Sequence, residues 1–236
     1  MPQNFFVTGK PNAGKTTLLK RLIEYLEDRE FKVGGFISPE ERHHGTRTAF
    51  HIVDIESGKE RLLASVEGSG PKVSKYHVNL LSFEKTVLPA MKKVDKYDVF
   101  VIDQIGRMEM KSKKFRRELD NVLDSDTPLI VSLHNDYLPK YKALGKVFRL
   151  TSNKHEAVLL DIMEEVESSL KKKKKKKARK KPAKKKAKRK PAKKKKAPRK
   201  KAPPSEEAKK KAMKELEGEE EKGKGLLDTI KDLLGF

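Results

Sequence analysis

The chain has 236 residues, no cysteine, and 57 Lys plus Arg against 34 Asp plus Glu, for a formal net charge of +23. Without cysteine there are no disulfides, no thiolate metal site and no cysteine nucleophile, which suits a reducing compartment. The charge is confined: 23 of the 57 bases and no acid lie in residues 171–201, leaving 34 bases against 34 acids elsewhere, so charge alone does not make the front part a nucleic-acid binder.

In chain order, Phe5-Phe6-Val7 predicts a short buried strand, and Leu18, Leu19, Leu22, Ile23 and Leu26 recur at helical spacing. Val33 to Ser38 reads as a second strand. Thr48 to Ile55 and Arg61 to Ser65 flank Glu56-Ser57-Gly58-Lys59, the turn of a hairpin, and the adjacent His43 and His44 read as loop residues. Residues 82–96 read as a helix in which Pro89 marks a kink or a shifted boundary. Then come a wholly apolar strand at Val99–Ile102, a helix at 112–124, strands at Leu129–Leu133 and Val147–Leu150, and a closing helix at 154–169. Continuous apolar strands alternating with helices predict an α/β fold with a mostly parallel sheet covered on both faces, the hairpin being an insertion. The start of the chain is too short for a signal segment, and no apolar run reaches membrane-spanning length, so a cytoplasmic location without a membrane span is expected.

Between the first strand and the first helix, Gly9-Lys10-Pro11-Asn12-Ala13-Gly14-Lys15-Thr16 matches the phosphate-binding pattern G-x-x-x-x-G-K-[ST] without a gap. Its glycines let successive main-chain N–H groups converge on phosphate, and the helix start adds unpaired donors and a positive dipole end. Lys15 is expected to reach the β and γ phosphates and Thr16 to ligate Mg²⁺ through its hydroxyl, while Lys10, Pro11, Asn12 and Ala13 contribute backbone. Asp103 leaves the carboxyl end of the apolar strand Val99–Ile102, where α/β sheets bind ligands, and is the second candidate for Mg²⁺.

Five stretches together resemble the thermophilic nucleoside-triphosphatase family, also called the cancer-related nucleoside triphosphatases, which are P-loop NTPases with a RecA-like core. They are GKPNAGKTT at 9–17, GGFISPEERHHGTRTAFHIVDI at 34–55, KVSKYHVNLLSFE at 72–84, IDQIGRMEM at 102–110 and TSNKHEAVL at 151–159. The resemblance covers residues 4 to about 165. It implies Mg²⁺-dependent hydrolysis of ATP, GTP or another NTP with loose base selectivity, and it extends the nucleotide-binding set to Thr17. Lys75 becomes a candidate cation near the γ phosphate, with a solvated lysine as the plainer reading. Asn153 is a base contact or a helix N-cap, and His134 a phosphate sensor or a packed histidine. Three positions depart from the family pattern: Gln104 stands where it has Glu, His77 where it has Gly, and Asn153-Lys154-His155 where it has Asn-Arg-Asp.

The first departure bears on rate. An amide accepts a hydrogen bond from water and donates one to phosphate, yet at neutral pH it holds no transferred proton. Gln104 therefore implies a slow NTPase making NDP and phosphate, with Glu109, five residues on, as a substitute base or else a solvated carboxylate. The alternatives are a nucleotide-binding switch with negligible hydrolysis, and a kinase acting on a nucleotide or polynucleotide end.

These readings divide the chain into a P-loop NTPase domain at 1–170, a disordered Lys-rich tail at 171–204, a charged spacer at 205–224 and an amphipathic terminal helix at 225–236. The tail repeats KPAKKK at 181–186 and 190–195 and carries nothing apolar to offset ordering entropy. It has no aromatic residue for base stacking, so nonspecific nucleic acid is the first expected partner, the alternatives being a nuclear-localisation-like or solubilising run, an anionic membrane or the ribosome. Leu226, Leu227, Ile230, Leu233, Leu234 and Phe236 share one face of the terminal segment, which predicts a protein partner, a lipid surface or its own core. A salt titration tests the tail: affinity for DNA or RNA should fall steeply as salt rises, and no binding by the tail at low salt would remove the assignment.

Overall fold

The computed structural model describes residues 4–151 and 153–186; the expectations for residues 187–236, the spacer and terminal helix among them, lie outside these. The elements in chain order are β1 (Asn4–Thr8), α1 (Lys15–Glu27), β2 (Val33–Ile37), β3 (Glu40–His43), β4 (Thr46–Asp54), β5 (Glu60–Ser65), β6 (Lys72–Val73) and β7 (Tyr76–Val78). They continue with α2 (Leu80–Met91), β8 (Val99–Ile105), α3 (Lys113–Leu123), β9 (Leu129–Leu133), α4 (Leu138–Tyr141), β10 (Lys146–Arg149) and α5 (His155–Lys186).

The ten strands among the described residues join one sheet in the order β10-β1-β9-β8-β2-β4-β5-β7-β6, with β3 paired to β4. The five strands from β10 to β2 are parallel, and from β2 outward the pairing is antiparallel. The parallel strands alternate between two buried faces, as the period-two geometry of a strand requires. Phe6, Phe100, Ile102, Val131 and Leu133 pack with α2 and α3 on one side, whereas Phe5, Val7, Val99, Val101 and Ile130 pack with α1 and α5 on the other. Gly35 lets β2 approach β8 closely: its φ is +115°, and a Cβ there would stand 1.9 Å from the Val101 carbonyl oxygen.

The expected α/β sheet with helices on both faces is present, and its antiparallel part exceeds a single hairpin. Strand β3 was not expected. His43 ends it instead of lying in a loop, and His44 and Gly45, both at positive φ, turn the chain into β4. Two left-handed residues between antiparallel strands are the tight hairpin turn that matches strand twist. Helix α2 begins earlier than 82, because the Asn79 side chain accepts from the Ser82 N–H at 3.0 Å and caps it. It stops at Met91, one turn of 3₁₀ helix following at Val94–Lys96; Pro89 sits in the last turn, where it leaves the Lys85 carbonyl without its i→i−4 donor. Helix α5 departs most from expectation, continuing past 169 to Lys186. The lysine run it enters has good intrinsic helix propensity, and the helix-breaking proline at 182 falls only near the end. No helix among the described residues is long and apolar enough to cross a membrane.

Phe83 on α2 is fully buried between Phe36 and Phe115, with ring centroids 6.3 and 5.2 Å away and edge-on geometry. Phe83→Ala should lower stability by about 3–5 kcal/mol in urea titration, and a loss below about 1 kcal/mol would mean that this aromatic cluster is not the core of its face.

Candidate functional site

The carboxyl ends of the parallel strands open on a cleft of about 630 Å³, a volume suited to a nucleotide-sized ligand. Its floor is the loop from β1 to α1. Asn12 (φ +64°) and Gly14 (φ +83°) take left-handed conformations, and the Ala13 N–H closes on the Lys10 carbonyl at 3.2 Å. The glycines also admit neighbours. A Cβ at Gly9 would lie 2.7 Å from the Leu150 carbonyl oxygen, and one at Gly14 would lie 2.8 Å from His155 Nε2. Pro11, Asn12, Gly14, Lys15, Thr16 and Thr17 line the cleft, while Ala13 packs inward against the α1 and α5 core and Lys10 is exposed.

Lys15 reaches back over the loop, its Nζ donating to the carbonyls of Gly9 (3.3 Å) and Lys10 (3.2 Å). Burial lowers its pKa; Asp103 opposes that shift and the Arg47 charge adds to it. Strand β9 lies between β1 and β8, so Asp103 faces the loop across one strand. Its carboxylate is buried, which pushes its pKa up against the hydrogen bonds that stabilise its charge. Those bonds come from three elements: Ser132 Oγ on β9 at 2.6 Å, the Thr16 hydroxyl on α1, and the Ser38 N–H after β2 at 3.3 Å, with the Lys15 charge also favouring ionisation. The Ser38 hydroxyl in turn donates to the Asp103 carbonyl.

Gln104 and Glu109 also line the cleft. A Cβ added to Gly106 would stand 2.6 Å from Gln104 Nε2 and 2.8 Å from Glu109 Oε2, so amide and carboxylate converge over that glycine. Glu109 is only 4 % exposed, and its Oε2 has no hydrogen-bond partner. Burial raises its pKa to about 7, helped by the Asp103 charge and resisted by the N–H groups of Glu109 and Gly106.

His134 borders the cleft with Nδ1 accepting from the Asp136 N–H at 3.3 Å. Lys75 is not brought to the cleft wall; its ammonium lies over the Tyr76 ring, 5.4 Å from the centroid. Asn153 is exposed in the turn before α5 and is not among the lining residues. His155 Nε2 touches the Gly14 carbonyl at 3.2 Å. Ser38, Arg47 and Ser132 are site residues that the sequence pattern does not single out, since isolated serines and an arginine in a polar strand carry no periodic or spacing signal. Ser132 had one faint mark, a hydroxyl inside the otherwise apolar run Leu129–Leu133.

A family model described as NTPase matches residues 4–163. The chain belongs to this nucleoside-triphosphatase family. Nucleoside-triphosphatase THEP1 of Methanothermobacter thermautotrophicus is 42% identical over 161 residues, covering 67% of this chain and 92% of that protein. The THEP1 of Methanocaldococcus jannaschii is 37% identical, covering 70% and 98%. Among solved structures, THEP1 from the hyperthermophile Aquifex aeolicus superposes with a TM-score of 0.62 at 28% identity, covering 70% of this chain and 99% of its own. A human cancer-related nucleoside triphosphatase gives 0.61 at 30%, covering 71% and 98%. The NTPase family thus accounts for the fold and the phosphate loop together.

Lys15→Ala should abolish nucleotide binding in calorimetry while leaving the fold intact by circular dichroism; retained affinity would remove the loop from the binding site.

Proposed function

We propose that the chain is an Mg²⁺-dependent nucleoside triphosphatase, converting NTP to NDP and phosphate slowly and with loose base selectivity. The observation that carries this reading is the convergence of the Gln104 amide and the Glu109 carboxyl, whose Oε2 has no partner, in the cleft that the phosphate loop lines.

The polar donors suit a hard cation. Thr16 and Asp103 are hydrogen-bonded neighbours offering a hydroxyl and a carboxylate, and no cluster of three or more His, Cys, Asp or Glu that would make an all-protein cage occurs among the described residues. Such a sparse oxygen set matches Mg²⁺, which retains water and takes its remaining ligands from phosphate. When bound, Mg²⁺ neutralises charge on the β and γ phosphates.

In this reading the loop N–H groups and Lys15 hold the phosphates, exchanging the Gly9 and Lys10 carbonyls for phosphate oxygens. The Gln104 carbonyl orients the attacking water, whose oxygen forms a bond to the γ phosphorus as the bond to the bridging oxygen breaks. NDP leaves with that oxygen, and Glu109 Oε2 receives the water's proton. The transition state is loose, so water positioning and charge neutralisation matter more than a strong base, which is why an amide at 104 slows turnover without ending it. Loose base selectivity follows because every nucleotide contact this reading assigns is to phosphate.

Residues 171–201, with 23 bases and no acid, add a polyanion-binding segment that begins within α5. The apolar residues within 225–236 add a second docking element for a protein partner.

The proton acceptor gives the test. Asp103, Arg107 and His134 share the cleft with Glu109, and Tyr137 lies within reach of its charge. Glu109 acts when deprotonated, and its raised pKa places the change near neutrality, so kcat/KM should rise through about pH 7. Glu109→Gln should flatten that limb and cut the rate by about 10²–10⁴-fold, whereas Gln104→Glu should raise turnover with little change in nucleotide affinity. An unaltered pH profile in Glu109→Gln, or no phosphate release from any NTP by the parent protein, would contradict the reading.

A further inference from the structure

The antiparallel half of the sheet carries a cation into the cleft that the reaction described above does not use. Arg47 stands on β4, just after the turn from β3, with its backbone carbonyl accepting from the Tyr76 hydroxyl at 3.3 Å. Its Nη2 donates to the Asn12 side-chain oxygen, within the phosphate loop, and also pairs with the Glu40 carboxylate. Its Nε is buried and has no hydrogen-bond partner in the structure. A buried guanidinium N–H without an acceptor is costly, and an anion able to take two parallel N–H bonds relieves that cost. Arg47 also lowers the Lys15 pKa, so the two cations feel each other across the loop.

Resting on the NTPase reading, we propose that Arg47 is a γ-phosphate residue supplied in cis, latched by Glu40 and Asn12 without nucleotide and transferred to the terminal phosphate when a triphosphate enters. Three features favour it over the other cations. Glu40 keeps a partner when Arg47 departs, because Arg42 Nε holds the same carboxylate at 2.6 Å. Arg107 is paired with Asp136 at 2.6 Å and is much more exposed, its side chain 63 % accessible against 24 % for Arg47. Lys75 lies outside the cleft wall. A planar guanidinium matches a terminal phosphate bidentately, as an ammonium does not. Because Asn12 is part of the loop, filling the loop and moving Arg47 become one event, which links the β3–β4 hairpin to the presence of the third phosphate.

The test compares binding of ADP and of the non-hydrolysable triphosphate AMP-PNP, each with Mg²⁺, to the full chain by calorimetry, alongside ATP turnover. In Arg47→Ala the preference for AMP-PNP over ADP should fall by at least about tenfold, while ADP affinity stays within about twofold. Arg47→Lys should recover only part of that preference, and Glu40→Gln, which loosens the latch, should increase it. If Arg47→Ala weakens ADP and AMP-PNP equally, or if Arg107→Ala and not Arg47→Ala removes the preference, Arg47 does not read the γ phosphate. The comparison needs no turnover. Absent hydrolysis with an Arg47-dependent preference sinks the NTPase reading alone, and normal hydrolysis with an Arg47-independent preference sinks this inference alone.

Discussion

A carboxylate buried at the end of a strand is the constraint on which the site depends. Asp103 is 2 % exposed, and a charge removed from water to that extent persists only when other groups replace its hydration. Ser132 on β9, Thr16 at the start of α1 and Ser38 after β2 do so, and Lys15 adds the opposite charge. These partners are far apart in sequence and meet because β9 separates β1 from β8 while β2 flanks β8 on its other side. The strand order is therefore a functional quantity. Moving any one of these strands would leave a buried anion short of donors, and with it the position of the phosphate loop.

The frame that enforces this order is apolar and the site it carries is not. Parallel strands buried on both faces, with the Phe36, Phe83 and Phe115 cluster beneath one of them, supply the burial that stabilises the sheet. The cleft then spends part of that stability. Glu109 holds an oxygen without a partner, Arg47 a nitrogen without one, and Lys15 leans on carbonyls that a phosphate would replace. Unsatisfied groups of opposite sign, kept apart in one cleft, are what a triphosphate with its counter-ion and water would complete. The antiparallel extension serves that end: β3 and β4 bring Glu40 and Arg47 over a loop that the parallel core alone would leave open.

What the sequence disclosed follows from where its signals are local. The phosphate loop, Thr16 and Asp103 were legible because a contiguous motif and an apolar strand ending in an acid are short-range patterns. Gln104 and Glu109 were legible only as identities, since their convergence depends on the turn at Gly106. Strand β3 is largely exposed and polar, and β6 and β7 span two and three residues, so none has an apolar alternation to find. Ser132 and Arg47 became functional candidates only once β9 and β4 were placed. The apolar periodicity of α5 ends near 169, whereas lysine propensity carries its backbone on to Lys186.

The most direct measurement is a crystal structure of the protein with Mg²⁺ and a non-hydrolysable triphosphate. The account expects the β and γ phosphates within the main-chain N–H groups of residues 9–16, with Lys15 Nζ withdrawn from the Gly9 and Lys10 carbonyls and Asp103 and Thr16 facing the metal. A triphosphate bound elsewhere, or a loop left empty at saturating ligand, would contradict it.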